Sequence, residues 1–169
     1  MVEHDKHLNC GFTRGDNWFR YRAAAIIIED DCILLIGNDE SEYLYSIGGA
    51  VHLGEAAEQA ILREVYEETG VRYEIDRLAV IHENFFGGDE GCRFLKSNCH
   101  EIAFYFIMKP QGRRMLKCTS YDACGVKEFL KWVPLADLGK VKVYPKFFTE
   151  EKLMNLSDSI EHIVYDERI

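Results

Sequence analysis

The stretch AAEQAILREVYEET, residues 56–69, is made of good helix formers and contains neither glycine nor proline. Gly54 and Glu55 open it, and Glu55 suits the positive end of a helix dipole. Gly70 sits just past it, where a left-handed cap is wanted. The chain is thereby committed to one helix near its middle. On that helix Glu64, Glu67 and Glu68 occupy a single turn. Like charges spaced at i, i+3 and i+4 repel by about 0.2–0.5 kcal/mol per pair. At about 100° per residue the three share an arc of about 100°, with Ala57 and Ala60 beside them. Ile61, Leu62 and Val65 fall on a different arc, which can face a core. The acidic face is expected to be separate from the packing face and floored by small residues.

A solvated acidic surface is one reading of this cluster. A helix built only for solubility would alternate Glu with Lys, yet Arg63 is the only positive residue between 55 and 68. The other reading is a divalent cation, which turns the repulsion into attraction. Oxygen-rich clusters suit Mg²⁺ or Mn²⁺. Composition and spacing leave the two readings level.

The rest of the chain reads as strands around this helix. AAAIII and CILLI are separated by the acidic break EDD, a hairpin pattern within residues 22–39. YLYSIGGAV is β-prone, and Gly48-Gly49 mark a point where backbone bends or approaches something closely. Residues 71–86, 101–108 and 128–135 read as strands, the last stopping at Pro134. Residues 87–98 and 109–125 read as irregular. YPKFFTEEKLMNL, residues 144–156, reads as a second helix with Pro145 near its first position. The order strands, helix, strands, helix implies an α/β layer fold with a mixed sheet between helices.

With 169 residues the chain is expected to be one domain, 1–169. Apolar residues at 47% and charged residues at 29% give a soluble globular composition. The net charge of −9 argues against nucleic acid and anionic membranes as partners. An anionic substrate would need bound cations to approach. None of the six cysteines forms a C-x-x-C pair, so reduced thiols are expected. Cys92, Cys99, His100 and Glu101 are spaced too loosely for a usual zinc site. No apolar leader and no run of about 20 apolar residues is present, and a cytoplasmic location is the expectation.

Residues 49–71, GAVHLGEAAEQAILREVYEETGV, resemble the signature box of the Nudix hydrolases. Gly49, Glu55, Arg63, Glu64, Val65, Glu67, Glu68, Gly70 and Val71 fill its nine specified positions across 23 residues. The preceding hairpin, the Gly-Gly turn and KWVPLADL near the end are also similar to the family. Ile47 departs from it, since many relatives carry proline there; this bears on the turn and not on the metal chemistry. The resemblance implies a Nudix-type α/β/α sandwich in which the box forms loop–helix–loop. It implies hydrolysis of a nucleoside diphosphate linked to another group, with Mg²⁺ or Mn²⁺. By the same resemblance Glu64, Glu67 and Glu68 are metal ligands, joined by the backbone carbonyl of Gly49, and Arg63 orients a box glutamate. Glu55 takes a supporting role. Glu64 or Glu67 is the expected base, with Glu101 as a further candidate ligand or base. Many relatives pair, so a homodimer is admitted, although no interface stripe stands out.

Weaker signals surround the box. WFRYR, ahead of the first apolar run, offers Arg20 and Arg22 to a phosphate and its rings to a base, against plain strand-edge packing. Phe85 or Phe86 offers a ring to a nucleobase, against core packing. Arg113, followed by Arg114, could reach a terminal phosphate, and His52 lies close to the start of the box. Two other functions compete with hydrolysis. One is a nucleotide-sensing domain, which would often have lost box glutamates. The other is an isoprenoid diphosphate isomerase, whose additional cysteine and acidic residues are not identifiable here.

Overall fold

The computed structural model describes residues 8–39, 41–87, 98–112, 114 and 127–168. Its strands are β1 (Gly11–Arg14), β2 (Asn17–Ile26), β3 (Ile28–Glu29), β4 (Cys32–Asn38), β5 (Leu44–Ser46) and β6 (Gly48–Ala50), followed by helix α1 (Ala57–Thr69). Then come β7 (Ile75–Phe86), β8 (Asn98–Met108), β9 (Glu128–Pro134), a 3-10 turn (Leu135–Lys140), β10 (Val143–Tyr144), α2 (Glu150–Met154) and β11 (Glu161–Asp166). One mixed sheet runs β1-β2-β8-β7-β11, with β6 paired to the free half of β2. A second runs β10-β5-β4-β3, with β9 on β4.

Alternation along the strands explains how both faces are filled. Ala23 and Ala25 of β2, with Leu34 and Ile36 of β4, pack against Ala57, Ala60, Ile61 and Val65 of α1. Ala24 and Ile26, with Ile33 and Leu35, pack instead against Phe148 and Leu153 around α2. Each of these strands is buried on both sides, so its sequence reads as a continuous apolar run. The sheets lie between α1 and α2, as the layer order required.

Local chemistry sets the boundaries. The EDD break is a tight turn in which Asp30 and Asp31 both take positive φ, 45° and 58°. Short acidic side chains tolerate that region, and a two-residue hairpin loop needs it. α1 begins two residues later than Glu55, at Ala57. Its Ala56 cap has no side-chain acceptor, and Gln59 closes the turn by accepting from the Ala56 N–H at 3.0 Å. Gly70 ends it in the left-handed region at φ 69°, its N–H donating to Tyr66 O.

Three expectations are corrected. The second helix does not span 144–156: Tyr144 belongs to β10, and α2 starts only after Thr149, whose hydroxyl accepts from the Lys152 N–H. Phe147 and Phe148 turn inward onto Tyr105, which keeps that segment from becoming helix. Leu62 does not share the core with Ile61; it is 41% exposed. Ala57 and Ala60 are not an open floor beside the glutamates but part of the core. The tail, unassigned from sequence, forms β11, parallel to β7 from Glu161↔Val80 to Asp166↔Phe85.

Candidate active site

The β6 turn and α1 approach each other closely. A side chain on Gly48 would sit 2.2 Å from the Ala23 carbonyl, and its φ of +130° excludes most other residues. A side chain on Gly49 would sit 2.5 Å from the Glu64 carboxylate. The two glycines therefore let an acidic side chain of the helix lie directly on the backbone of the turn.

Arg63 ties this region together. Its Nε and Nη2 donate to the two oxygens of Glu55, each at 2.9 Å, a bidentate pairing. Nη1 donates to Glu64 at 2.6 Å and to Glu67 at 3.3 Å, and Nη2 also donates to Ala50 O at 3.2 Å. The Arg63 bonds, with the His52 N–H, hold the Glu55 carboxyl down to about 2. Glu55 thus belongs to an ion pair more than to the helix dipole. Its partner Arg63 is raised.

Glu64 and Glu68 behave in the opposite sense. Burial pushes Glu64 up, against the pull of Arg63. Burial and the neighbouring Glu64 push Glu68 up to about 8, although Arg22 and the Gly48 N–H, which donates to Glu68 at 3.1 Å, work the other way. Glu67 is the outer member, its side chain 56% exposed. The acidic face is therefore split: one carboxylate in water, two against the protein.

Arg22 sits behind the turn. It is buried, and its Nη2 donates to Ser46 O at 2.7 Å and Gly48 O at 3.1 Å. Burial alone would lower it, but Glu101, Tyr105, Glu68 and Glu64 outweigh that and raise it. Arg20, two residues along the same strand face, pairs with Glu101 through Nε at 2.8 Å and through Nη2. Glu101 is buried too; burial would raise it, yet Arg20 and Arg22 bring it down.

The structure thus brings Gly49, Arg63, Glu64, Glu67 and Glu68 to one place, with Arg22 coupled to them by charge. Glu101 is engaged by Arg20. Phe85 lies on the opposite sheet face, stacked on His100. Phe86 meets Trp18 edge-on at 6.1 Å. Arg113 lies outside the described residues. Arg114 donates to Asp30 O, and the His52 ring is 3.6 Å from Glu55. Cys99 and His100 are neighbours in β8, so their side chains point to opposite faces, as a zinc pair would not; Cys92 lies outside the described residues.

Glu128, which the sequence did not single out, belongs with the acidic group. It is buried, takes a hydrogen bond from Tyr45 OH, and adds to the repulsion that raises Glu68. An acidic residue opening the largely apolar run EFLKWVPL was the available signal.

A divalent cation can be tested against this donor set. Among the described residues no three His, Cys, Asp or Glu side chains already converge on one point. Arg63 draws Glu64 to one side while the Gly48 N–H draws Glu68 to the other. The chemistry nevertheless fits. All the donors are oxygens, and two of the carboxylates, Glu64 and Glu68, are raised by burial despite Arg63 and Arg22.

A family model, the NUDIX domain, matches residues 18–154. The chain belongs to the Nudix family. A MutT-like protein from Streptomyces ambofaciens is 36% identical over 90 residues, 53% of this chain and 51% of that protein. The chain therefore matches about half the length of that curated relative. Among solved structures, a MutT NUDIX hydrolase from Burkholderia pseudomallei superposes with a TM-score of 0.59 at 22% identity, covering 80% of this chain and 98% of that one. A MutT protein from Bacillus halodurans gives 0.60 at 18% identity, covering 88% and 91%. At such identities the structures speak for the fold. The Nudix α/β architecture is shared, and the box, residues 49–71, runs from β6 through the following loop and α1 to just past its Gly70 cap.

Proposed function

We propose that this Nudix chain is a metal-dependent hydrolase that cleaves the diphosphate linkage of a nucleoside diphosphate joined to another group. The observation that carries the reading is the pair Glu64 and Glu68, partly buried against the Gly48–Gly49 turn with pKa values above the usual range. Desolvating two neighbouring acids destabilises a fold unless a cation joins them. Glu64, Glu67 and Glu68, with the carbonyl of Gly49, would hold Mg²⁺ or Mn²⁺. That ion, when bound, neutralises diphosphate charge and lowers the pKa of water.

The chain's own residues supply the positioning. Arg63 clamps Glu55 and steers Glu64. Arg22 fixes the Gly48 carbonyl and so the shape of the turn. Glu64 or Glu67 takes the proton of the attacking water, and Glu67, the more exposed, is the easier to reach. Arg20 is the candidate for a substrate phosphate, with Glu101 holding it in the cleft; Glu101 itself becomes available as ligand or base only when Arg20 releases it. Transfer of a phosphoryl group to water needs mostly positioning and charge stabilisation, which this arrangement provides.

The test is a panel of nucleoside triphosphates, nucleotide sugars and dinucleoside polyphosphates incubated with Mg²⁺, with products identified and chelator added in parallel. Cleavage that stops on chelation supports the reading. Binding without cleavage across the whole panel would assign the chain to nucleotide sensing.

A further inference from the structure

Away from the box, this acidic chain has a place where cations gather. A groove of about 330 Å³ at the end of the second sheet is lined by Lys131 of β9, by Tyr43 and Leu44 at the start of β5, and by Lys140 and Lys142, which flank the passage from the 3-10 turn to β10. Alternation separates it from the acidic group. Glu128 turns toward Tyr45 on the α1 side of the sheet, so Lys131, three residues on, faces the other way, opposite Leu35 in the core around α2. Phe129 shares that face, is 39% exposed, and stands next to Leu44 across Gly37.

Three lysines line this groove against one acid, Glu42. Lys140 is committed to Asp137, its Nζ donating to Oδ1 at 2.6 Å. Lys142 is held by rings instead: its Nζ lies 5.8 Å from the centroid of Tyr43 and 5.9 Å from that of Tyr144. Neither Lys142 nor Lys131 has a carboxylate partner among the described residues. Acids outnumber Lys and Arg by 29 to 20 in this chain, so two lysines on one groove without an acid beside them reverse the local field. No arginine lines the groove, and nothing there offers the planar fork that grips a phosphate in fixed geometry. Flexible ammonium groups beside Tyr43, Leu44 and Phe129 suit carboxylates strung along a chain with apolar side chains between them.

We propose that this groove docks an acidic segment of a partner protein, one in which glutamate or aspartate is interspersed with apolar residues. The carboxylates pair with Lys131 and Lys142, and the apolar side chains lie on Tyr43, Leu44 and Phe129. Each exposed ion pair is weak and screened by salt, so the contact is transient and rests on several charges acting together. The site does not depend on the hydrolytic reading, because none of the box residues lines it.

Fluorescence anisotropy of the whole chain in excess chelator, with a labelled octapeptide of glutamate and phenylalanine as probe, tests this. The same peptide with glutamine in place of glutamate and inorganic triphosphate as competitor serve as separate arms. The expected result is saturable binding at low salt, weakened about tenfold or more when Lys131→Gln and Lys142→Gln are combined, with the glutamine peptide not bound. Lys109→Gln, which removes a lysine paired with Glu74 elsewhere on the surface, is expected to leave binding unchanged. All three lysines are exposed, so their variants keep the fold. Absence of saturable binding at millimolar chain overturns the proposal, as does binding indifferent to the double variant or weakened as much by Lys109→Gln. Retention of the glutamine peptide overturns it too. Triphosphate that displaces the peptide at concentrations below those at which the peptide itself binds would make the groove a small-anion site and overturn the proposal as well.

Discussion

At Glu68 stability and the proposed metal-binding role pull in opposite directions. Its carboxyl is pushed up to about 8 by burial and by Glu64, so its ionised form works against the fold when no cation is present. Glu68→Gln removes that charge while keeping the shape. We expect the thermal midpoint in chelator to rise by about 2–4 °C, the shift of one kcal/mol in a chain of this size. Mg²⁺-supported turnover is expected to fall by orders of magnitude in the same protein. Wild-type turnover in this variant, and in Glu67→Gln, would remove both residues from the site. Gly49→Ala tests the close approach instead. Its new methyl would sit 2.5 Å from the Glu64 carboxylate, which must move. A displacement of about 1 Å in a positioned group costs about 10²-fold in rate. That loss should appear in kcat, while circular dichroism stays native.

The element that organises the site is α1, and its two sides have different tolerances. Ile61 is fully buried between β2 and β4, so Ile61→Ala is expected to cost about 2–5 kcal/mol by denaturant unfolding. Leu62, one residue on, is 41% exposed, and Leu62→Ala should stay within about 0.5 kcal/mol. That contrast also shows where the sequence could be read and where it could not. The helix, its Gly70 cap, the EDD turn and the Gly48-Gly49 approach are local, and residue type alone announces them. Leu62 reads as core because, three residues before Val65, it lies about 60° from it around the helix; which apolar neighbour faces the sheet is settled by where β2 and β4 lie. The sequence extends α2 too far for the same reason. TEEKLM has helix chemistry, but Tyr144, Phe147 and Phe148 ahead of it are claimed by β5 and Tyr105, partners far away in sequence. Arg22 reads as an exposed strand-edge cation until Ser46 and Gly48 are folded over it.

Across the whole molecule the box sets a dependence on pH. Between the ordinary 4.5 of a glutamate and about 8, Glu68 holds its proton in the folded chain and releases it in the unfolded one. The folded state then binds more protons, so stability falls as pH rises through that window. Glu55 works with the opposite sign: its carboxyl is held at about 2, so its contribution is present above the ordinary value and disappears as pH drops toward 2. In chelator, the thermal midpoint is expected to decline from pH 5 to pH 8. Added Mg²⁺ should recover more of it at pH 8 than at pH 6, since a cation bound to ionised carboxylates stabilises the state that holds them. A midpoint flat across that range, with and without the ion, would show that Glu68 titrates like an exposed acid.

The Gly48–Gly49 turn has a corollary for how such a protein diversifies. Because Gly48 admits no side chain and one at Gly49 would displace the Glu64 carboxylate, the loop that touches the acidic helix is poorly suited to carry a group that distinguishes one compound from another. On the proposed reading discrimination falls to the surrounding strands, at positions such as Trp18, Arg20 and Phe86, which stand apart from the Arg63 hub and its acidic neighbours. Preference for a compound can therefore drift while the reaction itself is inherited unchanged.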